Sequence, residues 1–210
     1  MYREPADQPS RLSIDYPEQS LNRLTTFFRL FAALPILIVL GTVSGGAWEW
    51  TYDNGKEGAA AGGLLFFGPL LMILFRQKYP RWWFDFNLQL TRFTTRVTSY
   101  LALMSDNYPS TDEEQSVHLD LDYPDVKQDL NRWLPLVKWF LAIPHYIVLV
   151  LLVIASVFAV IFAWFAILFT GQYPRGLFNF VEGVMRWGLR VEAYSMLLIT
   201  DKYPPFRLGA

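Results

Sequence analysis

Three apolar runs limit what this chain can fold into: Leu24 to Val43, Gly58 to Phe75 and Trp133 to Phe169. At about 1.5 Å of helical rise per residue, each of the first two is long enough to cross a hydrocarbon layer of roughly 30 Å. The third is about twice a single span. Runs of this length belong either in the core of a large protein or in a bilayer. Composition favours the bilayer, because 210 residues that are 53% hydrophobic, 17% aromatic and only 18% charged cannot wrap such runs in their own polar surface. Eight Trp and eleven Tyr add rings suited to the headgroup layer, where an apolar body meets a wet tip.

The chain also matches itself. Leu12-Ser-Ile-Asp-Tyr-Pro17 aligns with Leu119-Asp-Leu-Asp-Tyr-Pro124, and Phe31-Ala-Ala-Leu-Pro35 with Phe140-Leu-Ala-Ile-Pro144. Further along, Tyr79-Pro-Arg81 aligns with Tyr173-Pro-Arg175, Arg96-Val97 with Arg190-Val191, and Tyr108-Pro109 with Tyr203-Pro204. The offset falls from 109 at Pro35/Pro144 to 94 at Tyr79/Tyr173, which leaves about 15 extra residues in the first copy. They form a loop, Ser44 to Ala59, rich in Gly and acids. The expected architecture is all-α integral membrane, with two tandem repeats and four spans in total. Each repeat is a transmembrane helical hairpin plus an interfacial amphipathic helix, with a short extended segment before the hairpin. The first repeat covers residues 1–109, with spans at about 24–43 and 58–75 and the interfacial helix at about 80–104. Residues 110–117 link it to the second repeat, 118–210, with spans at about 133–153 and 156–170 and the interfacial helix at about 174–199. That division of the third run needs a tight reversal near Ile154 to Val157. One long helix is the alternative. The alternation in Leu12 to Tyr16 and in Leu119 to Tyr123 further suggests a short strand pair.

Residues 80–104 and 174–199 are apolar too, but central charges rule them out as spans at roughly 2.5 to 3.5 kcal/mol each. Arg81, Asp85, Arg92 and Arg96 fall on one helical stripe, as do Arg175, Asn179, Glu182, Arg186 and Arg190. With Trp82, Trp83 and Phe84 or Leu177, Phe178 and Trp187 opposite or flanking, both helices are expected to lie in the interface plane. The loop at 44–59 holds one Lys against Glu49, Asp53 and Glu57, while nearly every other Lys and Arg falls on the opposite side, which places both termini and both interfacial helices on the cytoplasmic side. No cleavable leader is expected from the polar segment Met1 to Leu24.

The segment from Leu141 to Phe206 carries Ile-Pro-His-Tyr-Ile-Val-Leu, Phe-Thr-Gly-Gln-Tyr-Pro-Arg-Gly-Leu-Phe-Asn-Phe, Arg-Trp-Gly-Leu-Arg-Val-Glu-Ala-Tyr and Thr-Asp-Lys-Tyr-Pro-Pro-Phe. In these it resembles a bacterial membrane family known as domain of unknown function 4389. The first copy is a divergent version, keeping Tyr79-Pro-Arg81 and Arg96 but replacing Thr-Gly by Arg76-Gln77 and Gly176 by Trp82. The resemblance implies membrane architecture and a bacterial cytoplasmic (inner) membrane setting. It transfers no catalytic residue.

Several residues are candidates for chemistry. Tyr16, Tyr79, Tyr123, Tyr173 and Tyr203, each before a proline, read with Trp82 and Trp83 as interfacial anchors. Arg29 and Lys138 occupy matching places inside the first span of each copy and read as cations that snorkel to phosphates, with Asp15 or Asp85 as a sharper partner for Arg29. His145 follows Pro144 and is expected to bond a carbonyl freed by that proline, ahead of haem or proton-relay roles. Arg81, Arg92, Arg96, Arg175, Arg186 and Arg190 read as lipid-headgroup or partner contacts, at about 1 kcal/mol per basic residue near an anionic surface. Gly62-Gly63 and Gly68 offer a small-residue packing face.

A net charge of -1 and the lack of a nucleic-acid motif exclude nucleic-acid partners, and the absence of cysteine removes thiolate chemistry. No nucleophile elbow, phosphate loop or zinc motif is present, so the chain is not expected to be an enzyme and no metal or cofactor is predicted. The expected function is a non-catalytic accessory or scaffold subunit of a larger membrane complex in contact with membrane lipids. A small lipid- or quinone-binding carrier is the alternative, with bound phospholipid or quinone as cargo.

Overall fold

A computed structural model describes residues 9–44, 68–113 and 115–209. The loop expected at 44–59, the Gly62-Gly63 face and most of the span expected at 58–75 lie outside the described residues.

A two-stranded ribbon packs one face into the core. β1 (Ser10–Ile14) pairs antiparallel with β2 (Val117–Leu121), Leu12 opposite Leu119. Alternation along each five-residue strand buries every second side chain, so Leu12, Ile14, Val117, Leu119 and Leu121 enter one core cluster with Phe84, Phe178 and Val181. The strands cross between halves of the chain: β1 lies against α6 (Arg175–Ser195) and β2 against α3 (Arg81–Leu101). Both helices begin directly after a proline in extended geometry, Pro80 and Pro174, which points the chain into the first helical turn.

α1 (Arg23–Val43) starts at Asn22, whose side chain accepts from the N–H groups of Leu24 and Thr25, and it packs on α3 through Ala33 and Ile36 against Phe93, Val97 and Tyr100. Residues 68–71 are helical and run into a short π-wound turn, α2 (Met72–Arg76). Later in the chain, α4 (Pro135–Leu141) bends at the buried Ala142 into α5 (Ile143–Thr170), which packs along α6. Gly171 closes α5 with φ at 76°, a left-handed position that glycine takes without a Cβ penalty.

The reversal expected near Ile154 to Val157 does not occur: α5 runs unbroken for 28 residues. Ile-Ala-Ser-Val supplies neither a glycine nor a proline, and a turn there would strip backbone hydrogen bonds with nothing to replace them. The run instead makes the short α4 and one long helix, α5. Among the described residues, two helices rather than four are long and apolar enough to cross a membrane, α1 and α5, with mean hydropathies of 2.0 and 3.1. Only 22% and 11% of their most apolar stretches are buried, so both turn a bare apolar flank outward.

Candidate functional site

Arg29 and Lys138 are the deepest cations among the described residues. Arg29 on α1 is 2% exposed and Lys138 on α4 is 0% exposed, so neither snorkels. Arg29 donates to the carbonyls of Tyr100 and Ser105 and pairs with the Asp106 carboxylate, and its guanidinium lies 4.4 Å from the Tyr100 ring centroid. Lys138 donates to the Thr200 carbonyl at 2.6 Å, pairs with Asp201 at 2.7 Å, and sits 5.3 Å from the Tyr194 ring. The Arg29 partner is therefore Asp106, not Asp15 or Asp85. Asp15 instead meets His118 at 3.0 Å and Asp85 meets Arg81 at 3.9 Å. Leu103 and Leu198, with φ of 64° and 57°, turn the chain back after α3 and α6 so that each aspartate reaches its cation. Each carboxylate also accepts a backbone N–H from just before the helix that carries its cation, Asn22 to Asp106 at 2.7 Å and Asn131 to Asp201 at 2.5 Å. A sequence signal existed for both: Asp106-Asn-Tyr-Pro109 and Asp201-Lys-Tyr-Pro204 share an aspartate two residues before a Tyr-Pro.

Four of the six stripe arginines bond groups of this chain, where lipid headgroups were expected. Arg92 donates to the Leu119 carbonyl at 2.8 Å and pairs with Asp120 at 2.7 Å, while Arg186 donates to the Leu12 carbonyl at 3.0 Å and pairs with Glu182 at 2.6 Å. Arg96 and Arg190 are buried and donate to the carbonyls of Ser110 and Arg207. Open ribbon carbonyls are acceptors that a bilayer surface does not outcompete, because they sit within reach and are already partly desolvated. Arg81 and Arg175 alone of the six are exposed, and they lie over the rings of Tyr123 and Tyr16 at 4.8 and 4.3 Å.

Where headgroup anchors were expected, the hydroxyls of Tyr16, Tyr79, Tyr123 and Tyr203 each donate to a backbone carbonyl, while that of Tyr173 has no hydrogen-bond partner. Tyr16 donates to the Tyr173 carbonyl at 2.5 Å and Tyr123 to the Tyr79 carbonyl at 2.5 Å, each tying the segment after a strand to the segment before a helix. Tyr79 and Tyr173 are 3% and 1% exposed, and burial pushes both phenols above their ordinary value of 10.0, with Tyr123 adding to the effect on Tyr79. Tyr203 is half exposed and donates to the Leu141 carbonyl at 3.1 Å. Trp82 is exposed, whereas Trp83 covers Gly68, where a Cβ would meet its ring at 3.0 Å.

His145 bonds no carbonyl freed by Pro144. Its Nδ1 accepts from Trp187 Nε1 at 3.1 Å, its ring stacks on Phe206 at 3.9 Å between centroids, and Tyr203 lies 4.8 Å away. Nδ1 acting as acceptor leaves the proton on Nε2, which has no hydrogen-bond partner. The second histidine, His118, sits on β2 and half exposed.

One cavity stands apart from these contacts. A cleft of about 810 Å³ lies between α1 and α5, with the end of α3 and the middle of α6 as its floor. Leu103, Val181 and Val184 are buried at its base, while Phe27, Leu30, Val153 and Val157 at its rim are about half exposed or more. Trp164 closes one end, stacking with Phe27 and donating to the Thr26 carbonyl at 3.2 Å.

Residues 133–207 match the model of a family described as a domain of unknown function, DUF4389; the match spans α4, α5, α6 and the extension that follows. No curated protein and no solved structure matches the chain.

Proposed function

We propose that this protein is a non-catalytic, bilayer-embedded framework that serves as an accessory or scaffold subunit of a larger membrane complex. The observation that carries the reading is the bare apolar flank of α1 and α5. Leu24, Phe28, Phe31 and Ile38 on one, with Val150, Ile154, Phe158, Phe162 and Phe169 on the other, are all about half exposed or more. Such a surface is stable against lipid or against another apolar helix, and not against water. Meanwhile the strongest polar groups close the chain on itself, as the two buried cation–aspartate pairs illustrate.

The chain is read as two copies of one unit. Matched contacts support this: Arg29 with Asp106 beside Lys138 with Asp201, Tyr16 on Tyr173 beside Tyr123 on Tyr79, and Arg92 on Leu119 beside Arg186 on Leu12. The setting we propose is a bacterial inner membrane, with both termini cytoplasmic and headgroup contact confined to the exposed Arg81 and Arg175. Purification in mild detergent is expected to yield a larger assembly containing this chain. Recovery only as a lone monomer at native expression levels would remove the scaffold reading. A second reading, a lipid- or quinone-binding carrier, is favoured by the lateral cleft between α1 and α5.

A further inference from the structure

We infer that the cleft between α1 and α5 is a binding site for a neutral, elongated apolar molecule that carries an acceptor carbonyl, entering sideways from the bilayer. The inference rests on the second reading above and names its ligand class. Three features of the walls lead to it.

The first is shape. A cleft of about 810 Å³ with a buried base and an outward-facing apolar rim falls within the range of small-molecule sites, and its mouth opens where α1 and α5 show their lipid-compatible flanks. The second is polarity in the wrong place. Thr26 Oγ1 and Ser156 Oγ, on the α1 and α5 walls, are buried without a hydrogen-bond partner, and so is Nε of Arg29, one helical turn beyond Thr26. Thr26 and Arg29 are 1% and 2% exposed. An unpaired hydroxyl or guanidinium N–H in an apolar cavity carries a desolvation penalty that an acceptor oxygen on a ligand would relieve. The third is charge. Arg29 is already neutralised by Asp106, so the cleft presents donors but no uncompensated positive charge. A phosphate would have no counter-ion there, whereas a neutral carbonyl matches both the donors and the apolar lining.

Two sources share this chemistry, the carbonyl of an isoprenoid quinone and the ester carbonyl of a neutral glyceride. The test uses the full chain reconstituted in nanodiscs, and because the chain has eight Trp the readout is the part of the tryptophan emission that Trp164→Phe removes. Decylubiquinone is titrated in one arm, dibromostearoyl diacylglycerol in a second and brominated phosphatidylglycerol in a third. Saturable quenching in either neutral arm is expected, weakened about 5-fold by Thr26→Val, which removes one hydroxyl at constant shape, and at least about 10-fold by Ser156→Phe, which fills the cleft. Whichever neutral probe saturates identifies the source. Quenching that rises linearly with mole fraction in both neutral arms, and equally in all three proteins, overturns the inference while leaving membrane residence intact. Tighter saturation by phosphatidylglycerol overturns the neutral-ligand claim. Failure of the wild-type chain to enter nanodiscs, read by size exclusion, overturns the membrane reading and this inference with it.

Discussion

Asp106 and Asp201 hold the two most deeply placed cations among the described residues, and a buried charge loses more from a missing partner than it gained from the pair. Asp106→Ala and Asp201→Ala are each expected to cost about 3 to 5 kcal/mol, seen as a lower midpoint in thermal unfolding of the detergent-solubilised protein. An Arg29→Asp, Asp106→Arg double exchange should recover part of the loss of either single change, whereas pairing Arg29→Asp with Asp85→Arg should recover none. Tyr79 and Tyr173 make a separate prediction about pH. Burial raises both phenols above 10.0, so the unfolded chain ionises first as alkali is added. Their contribution is intact at neutral pH and is lost as pH climbs past about 10 towards the folded values. Alkaline unfolding should be shallower in Tyr173→Phe, whose hydroxyl has no hydrogen-bond partner to lose. Asp106 and Asp201 could have been flagged in the sequence by their shared place before a Tyr-Pro. That they reach Arg29 and Lys138 could not, because the left-handed turns at Leu103 and Leu198 carry no glycine to announce them.

Among the elements, α5 separates two readings of one apolar run. The chain has no native cysteine, so spin labels at Leu151→Cys and Phe169→Cys are the only ones attached. Eighteen residues of continuous helix separate them by about 27 Å on one face, and a hairpin turning near Ile154 to Val157 would bring them far closer. Pulsed electron resonance is expected to give the longer distance. Periodicity marked α3 and α6 clearly, since a stripe of charges at steps of 3, 4 and 7 admits no other regular structure. What periodicity left open is which environment the stripe meets. Arg92 and Arg186 find ribbon carbonyls in place of lipid phosphates because β1 and β2 lie across those helices, an arrangement set by residues distant in the chain.

For the whole molecule, the ribbon locks the two ends of the chain together, with β1 on α6 and β2 on α3. Leu12→Ala or Leu119→Ala removes a side chain that is 2% or 3% exposed and should cost about 2 to 5 kcal/mol. Hydrogen exchange should then rise in both α3 and α6, whichever strand is altered; a rise confined to one helix would show that the halves are stabilised independently. The sequence by itself determined the apolar runs, the charged stripes, the short strands and the order in which they follow, because these depend on residue type and on spacing within one element. Only the tertiary structure decided which carboxylate meets which cation, that the tyrosine hydroxyls clip backbone carbonyls, and that α1 and α5 part to leave a cleft. Those outcomes depend on how separate elements cross in space, and no local pattern encodes a crossing.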